Sequence, residues 1–140
     1  MPSSESLEID PRLFNRDYQH LRTAKLIARE SDAPNFKMGA VIASGRKLLG
    51  LGCNNIRKTH PASNTPFGHI HAELAAMLNA RTDLSGTTLY VYRGGKDDKP
   101  LMSKPCKHCQ ALIKKEGIKY IVFSTNGGFE KITAEELFGA

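Results

Sequence analysis

Two short segments, His71-Ala72-Glu73 and Pro105-Cys106-Lys107-His108-Cys109, constrain what this chain can fold into more than any other feature. They supply one imidazole, two thiols and one carboxyl, and bringing these together demands a particular arrangement. Cys106 and Cys109 lie three apart at the first turn of a helix that Pro105 opens, so both sulfurs can point to one side. A helix N-terminus also lowers thiol pKa values and favours the thiolates that zinc requires. His71 and Glu73 are harder to reconcile, because residues i and i+2 of a regular helix are about 200° apart. Both reach one point only if His71 stands at the very first turn, with the helix end aimed at the site. The sequence therefore asks for two helix N-termini at one metal ion. Pro66, Gly68 and their polar neighbours, just upstream of His71, permit it.

Two thiolates and one neutral imidazole balance the charge of a zinc ion and leave one tetrahedral position open, the mark of a catalytic site. His71, Cys106 and Cys109 are the expected ligands, and Glu73 the expected carrier of a proton. Other readings of the same residues remain. A C-x-x-C pair is also half of a structural zinc ribbon, for which His108, His69 or His60 would supply a fourth ligand. It is also a redox pair when it sits beside a βαβ unit. A zinc-stabilised binding module without catalysis is the corresponding alternative function. Glu73 argues against that module, since a structural site has no use for a carboxylate beside an open metal position.

The remaining cysteine, Cys53, makes the count three, which argues against a disulfide framework. Cys53 reads as a packing residue. At 140 residues, 40% apolar and 24% charged, the chain fits one soluble globular domain spanning residues 1–140. No apolar run approaches the roughly 20 residues needed to cross a bilayer. Met1 to Asp10 is acidic and Ser-rich rather than basic and apolar, so no secretory signal is expected, and the protein reads as cytoplasmic with no membrane partner. A formal charge of +6 and a pI near 9.3 favour an anionic partner, either a phosphorylated small molecule or a nucleic acid.

The chain alternates helix-like and strand-like segments, which predicts one α/β layered domain. Asp10-Pro11 reads as a helix start, followed by Phe14, Tyr18, Leu21, Ala24 and Ala28 at helical spacing and closed by Ser31-Asp32-Ala33-Pro34. Met38–Ala43 and Lys47–Cys53 form a hairpin through Ser44-Gly45-Arg46. A polar loop, Asn54–Gly68, leads into a helix over Ile70–Arg81 and a strand over Thr87–Tyr92. A second polar loop, Arg93–Lys104, precedes the helix Cys106–Glu116, which Gly117 closes. Ile118–Phe123 is the last clear strand. Thr133–Phe138 is a short helix with a Thr-x-x-Glu box at Thr133 and Glu136. The helix–strand–helix–strand order of the second half requires parallel pairing of its strands.

From about Gly39 to Phe123 the sequence resembles the cytidine and deoxycytidylate deaminase superfamily. The likeness to deoxycytidylate deaminases is strongest over His71-Ala72-Glu73-Leu74, then Pro105-Cys106-x-x-Cys109-x-x-Leu112-Ile113 and Gly117-Ile118-Lys119. It implies a three-layer α-β-α cytidine deaminase-like fold around a central mixed sheet of four to five strands. It implies zinc as cofactor and hydrolytic removal of the exocyclic amine of cytosine. Glu73 would take a proton from the attacking water, pass it to the ring nitrogen, and help expel ammonia. The strand-end Gly52-Cys53-Asn54 matches the family's Gly-x-Asn and makes Asn54 a candidate contact to sugar or base. Asn54 equally reads as a turn residue bonding its own backbone. Ala72 and Pro105, beside the ligands, are further substrate-contact candidates. Arg57, Lys58, His60, Arg93 and Lys104 are candidates for meeting a phosphate.

The sequence also departs from the family. Ala75 stands where deoxycytidylate deaminases usually carry Asn, the Arg93–Lys104 loop is long, and a fifth strand with its helix is missing or reduced. The implied substrate is a free cytosine nucleotide; the alternative is cytosine or adenine in single-stranded DNA or RNA, including tRNA. Aromatic content of 7% and the lack of Trp weigh against base stacking on a polymer. Family members commonly assemble, so a homo-oligomer is expected.

Overall fold

The computed structural model describes residues 8–33, 37–59, 69–95 and 99–139. Strands with two apolar faces organise it. The period of two along each strand sends Val41, Tyr90, Tyr92 and Val122 to one side of the sheet. Ala40, Ile42, Leu89, Val91, Ile121 and Phe123 go to the other. Each side is covered, so the molecule has three layers, helix on sheet on helix.

The long strands are β2 (Lys37–Ser44), β3 (Lys47–Cys53), β6 (Thr88–Gly94), β8 (Tyr120–Thr125) and β9 (Gly128–Thr133). Two-residue strands, β1 (Glu8–Ile9) and β7 (Pro100–Leu101), bring the sheet to seven, in the order β1-β9-β8-β6-β2-β3 with β7 paired to β6. The expected count of four to five therefore covers only the long strands. β4 (Asn55–Thr59) and β5 (His69–Ile70) pair antiparallel in a separate two-stranded sheet. The sheet is mixed: β6 and β8 run parallel, joined by a helical crossover, while β2 is antiparallel to β3 and β6.

α1 (Asn15–Ala28) covers the first face with Leu21, Ala24 and Ala28. α2 (Ala72–Ala80), α3 (Lys107–Glu116) and α4 (Ala134–Gly139) cover the second with Ala72, Ala76, Ile113 and Leu137. None of the described helices is long and apolar enough to cross a membrane.

Several expectations hold and several do not. The β2–β3 hairpin turns through Gly45 at φ 60°. Gly117 closes α3 at φ 75°, and Thr133 and Glu136 exchange their capping bonds at 2.9 and 3.1 Å. Asp10-Pro11 does not start a helix. The Asp10 carboxylate accepts the Arg12 N–H at 2.9 Å and closes a turn. The helix begins at Asn15 because the Asp17 carboxylate takes the Phe14 N–H at 2.9 Å.

The segment 54–68 is not all loop, since Asn55–Thr59 and His69–Ile70 pair, and α2 begins only at Ala72. The Arg93–Lys104 segment likewise gives residues to β6 and β7. The fifth strand is present: β9 folds back antiparallel on β8 across Asn126-Gly127, with Gly127 at φ 95°. Asn-Gly between alternating apolar residues is a strong hairpin signal.

Close approach decides where α2 sits. Gly52 of β3 lies under the helix, and a Cβ there would come 2.5 Å from the Ala76 nitrogen and 2.6 Å from the Ala75 Cβ. The obstacle is helix backbone, which cannot step aside without moving α2. Gly52→Ala is expected to destabilise the fold by about 1–3 kcal/mol, as overpacking does. Thermal denaturation checks it; a midpoint within about a degree of wild type would show the helix to be loosely seated.

Candidate active site

α2 and α3 both end at the same place. His71 is the N-cap of α2 and Cys106 the N-cap of α3, both with extended backbone, while Cys109 lies one turn into α3. This is the convergence of two helix N-termini that the i and i+2 spacing requires. The His71 Nδ1 lies 3.7 Å from the Cys106 Sγ and 3.4 Å from the Cys109 Sγ. All three ligand atoms fall within 4.8 Å of one another. Tetrahedral zinc with Zn–N near 2.05 Å and Zn–S near 2.3 Å separates N and S by about 3.6 Å. The observed spacings bracket that value, so the residues fit the ion. Among the described residues the cluster has three members, leaving a fourth position for a ligand. His108 is half-buried on α3 and outside the cluster, and Cys53 is half-buried in β3.

The electrostatics suit a dication. Hydrogen bonds with Cys109 and with His71 pull the Cys106 thiol down to about 3, which makes it a thiolate at neutral pH. The same bond to Cys106, together with burial, pushes the Cys109 thiol up. His71 is raised by its bond to Cys106 against its burial, and the Glu73 charge adds to this. A metal ion replaces the protons this set shares and uses the thiolates as ligands.

Glu73 is 2% exposed. Burial pushes its pKa up, opposed by its own backbone N–H and by His71. It is the second residue of α2, near enough to His71 and Cys106 for their charges to act on it.

The cytidine and deoxycytidylate deaminase zinc-binding region matches residues 14–125 of this chain. The chain belongs to this zinc-binding deaminase family. Its residues His71, Cys106 and Cys109 form the zinc site. A deoxycytidylate deaminase of Mycobacterium phage D29 is 29% identical over 128 residues, covering 76% of this chain and 92% of the phage protein. The human deoxycytidylate deaminase is 29% identical over 121 residues, again 76% of this chain. The match spans only 62% of the human protein's length. The crystal structure of cytidine deaminase from Burkholderia pseudomallei shares the fold, with a TM-score of 0.65 at 21% identity, covering 86% of this chain and 94% of that one.

The other named residues are distributed unevenly. Ala72 is fully buried in the first turn of α2. Pro105 is buried, and its carbonyl accepts the Gln110 Nε2–H at 2.9 Å. Lys104 is exposed two residues before Cys106, and Arg93 is half-buried at the end of β6. The Asn54 side-chain oxygen accepts the Ser31 hydroxyl at 2.6 Å and the Met38 N–H at 2.9 Å. That oxygen ties the end of β3 to β2 and to the segment after α1. Arg57 and Lys58 lie in β4 with their side chains outside the described structure, and His60 lies outside the described residues.

Proposed function

We propose that this chain hydrolytically deaminates the cytosine of a free cytosine nucleotide, dCMP-like, to the uracil form with release of ammonia. The observation that carries the reading is the buried Glu73 carboxyl beside a three-ligand zinc set. A structural zinc site has no use for an acid held out of water next to an open position. The names of the phage and human relatives support the nucleotide.

Zinc bound at His71, Cys106 and Cys109 supplies Lewis-acid activation of water. Glu73 performs the proton transfers. Its carboxylate accepts a proton from the water that attacks the ring carbon bearing the amine. The resulting carboxylic acid delivers that proton to the ring nitrogen. Glu73 then takes the second proton from the hydroxyl now on the ring carbon and gives it to the amine, which leaves as ammonia while the carbonyl forms. Burial suits both halves of the cycle, because a raised pKa brings proton gain and loss closer to neutral pH.

On this reading Ala72 and Pro105, next to the ligands in sequence, pack against the base, and Asn54 meets sugar or base. Lys104 and Arg93, with Arg57, Lys58 and His60, supply positive charge for the phosphate. By this reading the protein acts in the cytoplasm as a homo-oligomer.

Ammonia release by zinc-loaded protein from cytidine, deoxycytidine, dCMP, dCTP, adenosine, and single-stranded DNA and RNA oligonucleotides containing C or A tests the reading. Turnover of dCMP with oligonucleotides untouched is expected. Conversion only within an oligonucleotide would overturn the nucleotide assignment and make the basic residues a backbone groove.

A further inference from the structure

β6 and β8 pair directly only from Thr88–Tyr120 to Val91–Phe123. Beyond that point their ends part, and the segment 100–103 enters between them. On one side it pairs with β6, Leu101 opposite Arg93 and Pro100 opposite Gly94. On the other it is tied to β8 and its hairpin. Ser103 N–H donates to the Ser124 carbonyl at 2.9 Å, and Met102 N–H donates to the Asn126 Oδ1 at 3.0 Å.

Two buried hydroxyls fasten this wedge from inside. Ser103 is 2% exposed and Ser124 fully buried. The Ser103 hydroxyl donates to the Val91 carbonyl at 3.0 Å and accepts the Ser124 N–H at 2.9 Å. The Ser124 hydroxyl donates to the Leu101 carbonyl at 2.6 Å and accepts the Arg93 N–H at 3.0 Å. Each hydroxyl has one proton, and each proton has a carbonyl to meet. Two backbone N–H groups and two carbonyls, which the parting strands would otherwise leave buried, are thereby satisfied.

Three residues after Ser103 the chain reaches Cys106. We propose that Ser103 and Ser124 are positioning residues for the zinc-ligand loop, fixing where Pro105 and Cys106 leave the sheet and therefore where the two sulfurs stand relative to His71. The physical reason is reach. His71 is carried by α2, whereas the cysteines follow a segment that this wedge ties to β6 and to the β8–β9 hairpin. A slip there moves both sulfurs together against a fixed imidazole. Groups that orient metal ligands typically change metal affinity by about 10–100-fold when removed. The inference depends on the zinc site and not on the identity of the substrate.

The test reads the metal rather than turnover. Ser103→Ala and Ser124→Ala are compared with Thr87→Val, which removes a buried hydroxyl bonded to the Leu84 carbonyl at 2.5 Å, away from the loop. Zinc release to a chromogenic chelator and the visible and thiolate charge-transfer bands of the cobalt-substituted proteins are measured, alongside melting temperature.

Each serine variant is expected to release zinc about tenfold faster or more and to alter the cobalt spectrum. Thr87→Val is expected to lose stability with both metal readouts unchanged. Wild-type release rates and spectra in the serine variants would overturn the proposal. So would equal metal changes in Thr87→Val, which would reduce the effect to general stability. If one serine variant fails to fold, the other carries the same comparison. Failure of dCMP turnover in the wild type leaves these readouts untouched, so the two readings fail separately.

Discussion

Replacing Glu73 with glutamine is expected to lower kcat/KM for ammonia release by about a hundred- to ten-thousandfold, the range that general acid–base groups contribute. Zinc should remain bound. Glutamine keeps the shape of the buried side chain, so α2 and its N-cap His71 stay in place. What it lacks is an oxygen that can accept a proton and return it to the ring. The three ligand atoms, on His71, Cys106 and Cys109, do not include the carboxyl. Steady-state ammonia assays with metal analysis of the same samples check both halves. Retained activity would assign the shuttle to another group, and loss of zinc would mean that the carboxyl supports the ligands instead of the proton.

The second large effect lies on the opposite face of the sheet. Asp17 is 1% exposed inside α1, and its carboxylate meets three groups. It accepts the Tyr90 hydroxyl at 2.6 Å, the Phe14 N–H at 2.9 Å, and the Lys131 ammonium at 3.2 Å. Behind Tyr90 the His20 ring packs at a tilt, its centroid 4.9 Å from that of the tyrosine. Lys131 is itself 7% exposed, over the Phe14 and Tyr120 rings. Removing one member of such a pair leaves a buried charge without compensation, which costs about 3–5 kcal/mol. Asp17→Asn should therefore lower the melting temperature by roughly 10 °C or more at neutral pH. Adding Lys131→Met should recover much of the loss, because an apolar replacement of both charges removes the penalty.

The pH dependence has a definite sign. Burial alone would raise the Asp17 pKa, but the Phe14 N–H, the Tyr90 hydroxyl and Lys131 hold it below the usual carboxylate value. A depressed folded-state pKa means that the stabilisation is present in full above the unfolded value near 3.9 and fades as pH falls through the folded one. The gap between wild type and Asp17→Asn should be constant from pH 7 to about 5 and shrink below about 4. A gap unchanged at low pH would show that the aspartate acts by shape rather than charge.

Much of the site was legible because its signals are local. Cys106 and Cys109 sit one turn apart after a proline, and His71 and Glu73 stand two apart at a helix start. Spacing and helix geometry alone then imply the convergence that His71 and Cys106 show as N-caps. The β2–β3 hairpin, the Gly117 cap and the Thr133–Glu136 box were legible for the same reason, since each is decided by residues within a few positions. The β8–β9 hairpin, expected to be missing or reduced, is decided just as locally, by Asn126-Gly127.

Other features were decided only by distant partners. Asp17 has the sequence look of a solvated first-turn acid, yet it is buried because Lys131, 114 positions away, and Tyr90, 73 positions away, arrive beside it. Asn54 read equally as a ligand contact and as a turn residue bonding its own backbone, and the partners of its oxygen, Ser31 and Met38, come from other segments. Ser103 and Ser124 carry no motif at all, and their place between parting strands follows from pairing across the whole sheet. The sequence by itself determined the zinc chemistry, because ligand type and helix phase are properties of short segments. Only the tertiary structure decided how those ligands are held, because buried hydrogen bonds and ion pairs between distant segments form only once the sheet has set their register.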